Sequence, residues 1–175
     1  PDFKLPNIYN RMEIFKSVLH ALEATAPKIA EQIFFKFRSW NTLYIAEITK
    51  TFPNTEWLFT HRNGLEVLAS VLKTPPGWLR SRKTHQKYFS KYLNGVNLDD
   101  LSDDEYAIRM LGAFCEAASN SDLENGTNLD YTEINSDLIN LVEKSWGVAL
   151  SDTEKQTMLE RTRIYSKDPE KKTEF

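Results

Sequence analysis

The sequence predicts an α/β fold in which a parallel sheet is covered by helices on both faces, a three-layer sandwich. Three observations lead there. Bulky apolar runs at residues 33–37 and 57–59 are too short for helices and read as buried strands. Each is followed by a segment with helical spacing of its apolar residues. Strands that alternate with helices at this spacing pair in parallel, because the helix carries the chain back to the same end of the sheet.

Taken in order, Ile8, Met12, Phe15, Leu19 and Leu22 recur at helical intervals and predict an amphipathic helix over residues 8–24. Ile33-Phe34-Phe35-Lys36-Phe37 is the first strand. Ser39 and Asn41 can cap the helix after it, which runs through Leu43, Ile45 and Ile48 until Pro53 stops it. Trp57-Leu58-Phe59 is the second strand, closed by Thr60-His61-Arg62, with a turn at Asn63-Gly64 and a helix over 65–73. Pro75-Pro76-Gly77 interrupts that helix, and a further one is expected over 79–93.

Ser102-Asp103-Asp104-Glu105 is a capping box opening a helix to about Ala118. Residues 128–131 are a third strand candidate, followed by a helix that ends near Trp146-Gly147. Ser151-Asp152-Thr153-Glu154 is a second capping box, with a helix to about Tyr165 and a polar tail from Ser166. Three strands are few for a doubly wound sheet, which ordinarily has five or more.

A chain of 175 residues reads as one domain, residues 1–175, long enough to bury a core. Its 41% hydrophobic and 27% charged residues are ordinary for a globular protein. A net charge of −3 argues against a general nucleic-acid binder. From Val67 to Leu98 there is no Asp or Glu, while Lys73, Arg80, Arg82, Lys83, Lys87 and Lys91 fall inside. That stretch is either a surface for an anionic partner or a solvated face balanced by acids elsewhere.

Cys115 is the only cysteine, so no internal disulfide forms, and the expected setting is intracellular. No apolar run approaches the ~20 residues that span a bilayer, and residues 1–6 lack the basic and apolar regions of a signal peptide. His20 and His85 stand alone, without a ligand-spaced partner, so no metal site is expected. The four tryptophans fall in different elements and read as packing residues.

In parallel sheets ligands bind beyond the carboxyl ends of the strands. Arg62 is expected at such an end, and its planar guanidinium suits two phosphate oxygens at once. Ser70, eight residues on, lies two turns into the following helix. The alternatives are that Arg62 pairs with Glu56 or Glu66 and that Ser70 is a packed helix serine. Strand alternation turns His61 away from Arg62 and gives it a structural role.

The run Phe52-Pro53-Asn54-Thr55-Glu56-Trp57-Leu58-Phe59-Thr60-His61-Arg62-Asn63-Gly64-Leu65-Glu66-Val67-Leu68-Ala69-Ser70 resembles the PAPS-dependent sulfotransferase family. That family has a proline-led loop, an apolar strand, an arginine, a turn, an acidic-aliphatic helix start and a serine. The residues from Phe35 to Tyr44 resemble its preceding strand and helix. Asp130-Tyr131-Thr132-Glu133-Ile134 resembles its later strand end, and Tyr165-Ser166-Lys167-Asp168-Pro169 its C-terminal loop over the nucleotide.

The resemblance implies a P-loop-type sandwich in which Arg62 and Ser70 hold the 3′-phosphate of PAPS or of adenosine 3′,5′-bisphosphate. It places Lys167, or Lys171, at the lid. Lys36 becomes the candidate for a catalytic role at the leaving group, or else a lysine capping a buried strand.

Two departures stand beside it. The family's Gly/Ser/Thr-rich phosphate loop and first strand find no match before Ile33, and Gly64 is the first glycine in the sequence. Many members place a histidine two residues after the strand lysine, where Arg38 stands here and cannot serve as a base.

Two functions follow from the resemblance. One is sulfuryl transfer from PAPS to a hydroxyl or amine acceptor, completed by a phosphate loop upstream. The other is a catalytically inactive sulfotransferase-derived subunit, whose incomplete sheet a protein partner covers.

Overall fold

The computed structural model of the protein describes residues 8–28, 32–121, 125–134 and 136–162. The architecture is mixed α/β, mostly helical, with one small parallel sheet of two strands. The chain forms two compact units, residues 1–55 with 76–122, and residues 56–75 with 123–175.

The first unit is helical. Helix α1 spans Ile8–Ala24, the range its apolar periodicity predicts. Phe15 on this helix meets Phe37 at 5.9 Å and Phe52 at 6.1 Å between ring centroids. The strand expected at residues 33–37 is absent, and Ile33, Phe34, Phe35 and Phe37 are exposed. A strand exists only where a neighbour completes its hydrogen-bond ladder. The two described strands pair with each other, and Phe37 turns to α1 instead.

The helix expected after Ser39 begins as a 3-10 turn, Ser39–Tyr44, and becomes α-helical only over Ile45–Thr51 (α2). Neither Ser39 nor Asn41 serves as its cap; Arg38 holds that position and makes no capping bond through its side chain. The single helix expected over 79–93 is broken into α4 (Gly77–Arg80), α5 (Gln86–Phe89) and a 3-10 turn, Ser90–Leu93. Ser81-Arg82-Lys83-Thr84-His85 is the break. Ser, Thr and His are mediocre helix formers, and at the break the Arg82 amide donates to the Leu79 carbonyl three residues back, at 3.3 Å. Asn94 at φ 54° then ends the turn in the left-handed region, followed by Gly95 at φ 73°.

Helix α6, Asp103–Ser119, is the spine of this unit. Its capping box forms as the sequence predicts: the Ser102 amide donates to Glu105 at 2.9 Å, and the Glu105 amide to the Ser102 hydroxyl at 3.4 Å. Tyr106, Ala107, Met110, Phe114 and Ala118 recur at helical spacing and are buried. Around them close Trp78, Leu79, Phe89, Leu93 and Leu98. Arg82 is buried too. It donates to the Ser102 carbonyl at 3.0 Å, pairs with Asp103 at 3.3 Å and lies 5.6 Å from the Tyr106 ring centre. One cation of the acid-free stretch is thus a tether to the start of α6, where the first-turn acids favour positive charge.

The second unit holds the sheet. Strand β1, Trp57–His61, pairs in parallel with β2, Gly126–Asp130, Trp57 opposite Gly126 and His61 opposite Asp130. A Cβ on Gly126 would collide with the Trp57 indole, so the strand carries glycine there because the ring lies across its backbone. Helix α3, Gly64–Lys73, follows β1. Helices α7, Ser136–Ser145, and α8, Asp152–Thr162, complete the unit, with Gly147 at φ 62° in the link. The second predicted capping box forms at Ser151 and Glu154, and Lys155 pairs with Glu143 at 2.8 Å to join α8 to α7. Among the described residues, no helix is long and apolar enough to cross a membrane.

Candidate functional site

Parallel pairing brings the carboxyl ends of β1 and β2 side by side, and the residues that leave those ends form one cluster. From β1 come His61 and Arg62, and from β2 come Asp130 and Tyr131. Arg62 is half-buried, with its guanidinium carbon 5.8 Å from the centre of the Tyr131 ring. Neither Glu56 nor Glu66 takes it: among the described residues Arg62 makes no ion pair. A guanidinium resting on a ring face keeps its in-plane donors for a ligand.

His61 does not face this arginine. It pairs with Asp130 at 3.7 Å and stacks on Phe59, two residues back on the same strand face, at 6.4 Å. The period of two in a strand makes this so. Asp130 ends β2 and caps the turn after it. Its carboxylate accepts from the Thr132 amide at 2.9 Å and from the Thr132 hydroxyl at 2.7 Å. Those two bonds, with His61 beyond them, hold its pKa below the ordinary carboxylate value. Glu133 completes a capping box by accepting from the Asp130 amide at 3.2 Å. Both carboxylates of this turn are therefore committed to local donors.

The start of α3 is occupied by its own cap. Asn63 Oδ1 accepts from the amides of Leu65 at 3.0 Å and Glu66 at 3.4 Å. An anion arriving at this edge is thus met by the Arg62 fork more than by helix amides. Ser70 lies on α3, half-buried, about 9 Å along the helix axis from Gly64 at the usual rise per residue. Arg62 and Ser70 share the β1–α3 unit.

Lys36 belongs to the helical unit and is exposed in the irregular segment before the Ser39–Tyr44 turn. With no strand at 33–37, its role as the cap of a buried strand falls away. Lys167 and Lys171 lie outside the described residues, as does the motif from Tyr165 to Pro169. No cluster of three His, Cys, Asp or Glu side chains suited to a metal occurs among the described residues. His20 contacts Glu23 at 3.5 Å and His85 stacks on Phe89 at 6.4 Å.

No family model, no curated protein and no solved structure matches this chain. What the site is able to do therefore rests on its own chemistry.

Sequence reasoning places Arg62 and the turn correctly but gives no role to Tyr131. The signal was present: an aromatic directly after a strand that ends level with β1 sits beside the residue directly after β1. Using it requires the register, with His61 opposite Asp130, and no short-range pattern contains that.

Proposed function

We propose that the carboxyl edge of the β1–β2 sheet binds the 3′-phosphate of an adenosine 3′,5′-bisphosphate group, in the manner of a PAPS-dependent sulfotransferase. The observation that supports this reading is Arg62: half-buried, at the end of a parallel strand, supported by the Tyr131 ring and without a carboxylate partner among the described residues. Its fork donates to two phosphate oxygens at once, which a lysine cannot do in this planar geometry. Ser70 supplies a hydroxyl donor from α3 in the same reading, and Lys167 a cation from the C-terminal segment.

The enzyme form of the proposal is transfer of the sulfuryl group of PAPS to a hydroxyl or amine. The bond from sulfur to the phosphate oxygen breaks, a bond from sulfur to the acceptor forms, and the acceptor loses its proton. That form requires a phosphate loop, which none of these residues supplies. The P-loop three-layer sandwich belongs to the same proposal.

Calorimetric titration with adenosine 3′,5′-bisphosphate, and with adenosine 5′-monophosphate as the control lacking the 3′-phosphate, tests the clasp. The bisphosphate is expected to bind more tightly. Arg62→Ala is expected to weaken it about 10- to 100-fold, the range of a lost charge-assisted contact, and to leave the monophosphate nearly unchanged. No binding, or bisphosphate binding indifferent to Arg62→Ala, overturns the proposal.

A second reading, an inactive sulfotransferase-derived subunit of a larger assembly, is favoured by one specific observation. Ile14, Val18 and Leu22, four residues apart on α1, are each about half exposed, and the apolar residues of 33–37 are exposed as well. Light scattering of the purified chain, and of a chain carrying Val18→Glu, separates the two. Self-association abolished by the substitution supports the subunit, whereas a monomer in both cases leaves this second reading without its partner surface.

A further inference from the structure

The helical unit contains a group of side chains that neither its core nor the Arg62 edge uses. Tyr44 ends the Ser39–Tyr44 turn, Tyr88 lies in α5, and Lys91 and Tyr92 lie in the turn that follows. The three rings converge. Tyr44 and Tyr92 are 6.2 Å apart at 79°, Tyr88 and Tyr92 5.7 Å at 63°, and Tyr44 and Tyr88 6.3 Å at 39°. The Lys91 ammonium lies at their common focus, 4.4 Å from the Tyr92 centroid, 5.2 Å from Tyr88 and 5.6 Å from Tyr44.

An exposed lysine ordinarily extends into water or pairs with a carboxylate. Among the described residues Lys91 makes no ion pair, and no Asp or Glu lies in the sequence between Val67 and Leu98. Three π faces hold the charge instead, each contributing through the ring quadrupole. Tyr88 is fixed from below: Phe89, fully buried, packs edge-on against it at 4.9 Å and itself stacks with Trp40 at 6.4 Å. Burial first, and then contact with the Tyr44 hydroxyl, pushes the Tyr88 and Tyr92 phenols above their ordinary range, so they stay neutral at physiological pH. The Arg11 charge on α1 acts on Tyr88 in the opposite, lowering direction.

We propose that Tyr44, Tyr88 and Tyr92 form an aromatic cage for a small quaternary ammonium group, with the Lys91 side chain as its resident, displaceable occupant. A primary ammonium keeps a tight hydration shell and competes poorly for a π surface. A tetraalkylated nitrogen carries the same charge over methyl groups that are weakly hydrated, so it gains more from three ring faces. Lys91 is exposed and tethered by a flexible stem, so its departure costs no core packing.

The test is an NMR titration with tetramethylammonium chloride on the full chain, following the ring resonances of the three tyrosines, with lithium chloride matching ionic strength. Choline as a second probe extends the same chemistry to a hydroxyl-bearing cation. Saturable shifts of all three rings are expected, with affinity about five-fold or more higher in Lys91→Ala than in the unaltered protein, since the internal competitor is gone. Adding Tyr92→Leu to Lys91→Ala should abolish saturation, while Tyr92→Phe in its place, which preserves the ring and the packing, should retain it. No saturable shift in Lys91→Ala, shifts reproduced by lithium chloride, or affinity unchanged by Tyr92→Leu each overturns the cage.

Discussion

Among the described residues, eleven apolar ones of the helical unit, from Leu43 to Ala118, are buried, whereas in the strand unit the buried apolar residues are Leu129, Ile139 and Val142. Their aromatic polar groups differ in the same sense. In the helical unit the buried Tyr106 hydroxyl donates to the Trp78 carbonyl at 3.3 Å. In the strand unit the Trp57 indole N–H is buried without a hydrogen-bond partner among the described residues. A buried orphan donor costs about 1–3 kcal/mol. The lesson is a division of labour. Helices close a core around α6 and hold their stability there, while two paired strands supply an edge where Arg62 remains half-open to a ligand. Binding groups are commonly drawn from the less deeply packed parts of a molecule.

Breaking the helical core should have the largest effect. Phe89→Ala removes a fully buried ring that meets Trp40, Tyr88 and Tyr106, and should cost about 3–5 kcal/mol. Urea denaturation followed by circular dichroism reads this, and a loss under about 1 kcal/mol would contradict the account of where the core lies. Next comes Gly126→Val, which drives a branched side chain into the Trp57 indole and should cost about 1–3 kcal/mol. Amide exchange should show β1 and β2 losing protection, with α6 keeping most of its own. Loss of protection in α6 to the same degree would break the comparison between the two units.

Smaller still is Ser102→Ala, which removes the hydroxyl half of the α6 capping box and should cost about 1 kcal/mol, read from the same denaturation curves. The corresponding Ser151→Ala acts on α8, a helix with no fully buried residue, and sharpens the comparison if its effect on the global midpoint is the lesser of the two.

The smallest effect is in acid. Asp130, Glu143 and Glu154 in the strand unit are held below the ordinary carboxylate range, chiefly by the Thr132 amide, by Lys155 and by Ser151 respectively. Asp104 and Glu105 in the helical unit are held down by Ser102. A depressed folded-state pKa means that the unfolded chain takes up protons first. The stability these groups give is present above their ordinary pKa and fades as pH falls through it towards the folded value. Amide exchange at successively lower pH should therefore find β2 and α8 loosening before α6, and the reverse order would count against the comparison.

Legibility in the sequence followed the range of the interactions. Helix α1 runs over the residues its periodicity marks, and both serine capping boxes form where Ser, two residues and Glu announce them. These are local arrangements, complete within one or two turns. The strand at 33–37 failed because an apolar run states only that a segment prefers burial, not which neighbour completes its ladder. The helix over 79–93 failed because its weak formers, from Ser81 to His85, gave way where the Arg82 side chain reaches the Ser102 carbonyl. Of the two cationic assemblies, Arg62 was visible as a strand-end arginine, whereas the ring beneath it and the three rings around Lys91 were not.

By itself, then, the sequence determined α1, the two helix starts marked by capping boxes, the β1–turn–α3 unit and the position of Arg62 at a strand end, since each depends on residues within a few positions of one another. The tertiary structure alone decided that β1 pairs with a strand more than sixty residues later, that Tyr131 rather than a glutamate meets Arg62, and that Tyr44 joins Tyr88 and Tyr92 around one ammonium. Those outcomes turn on register and on long-range packing, where many sequence-distant partners compete and only the folded chain selects among them.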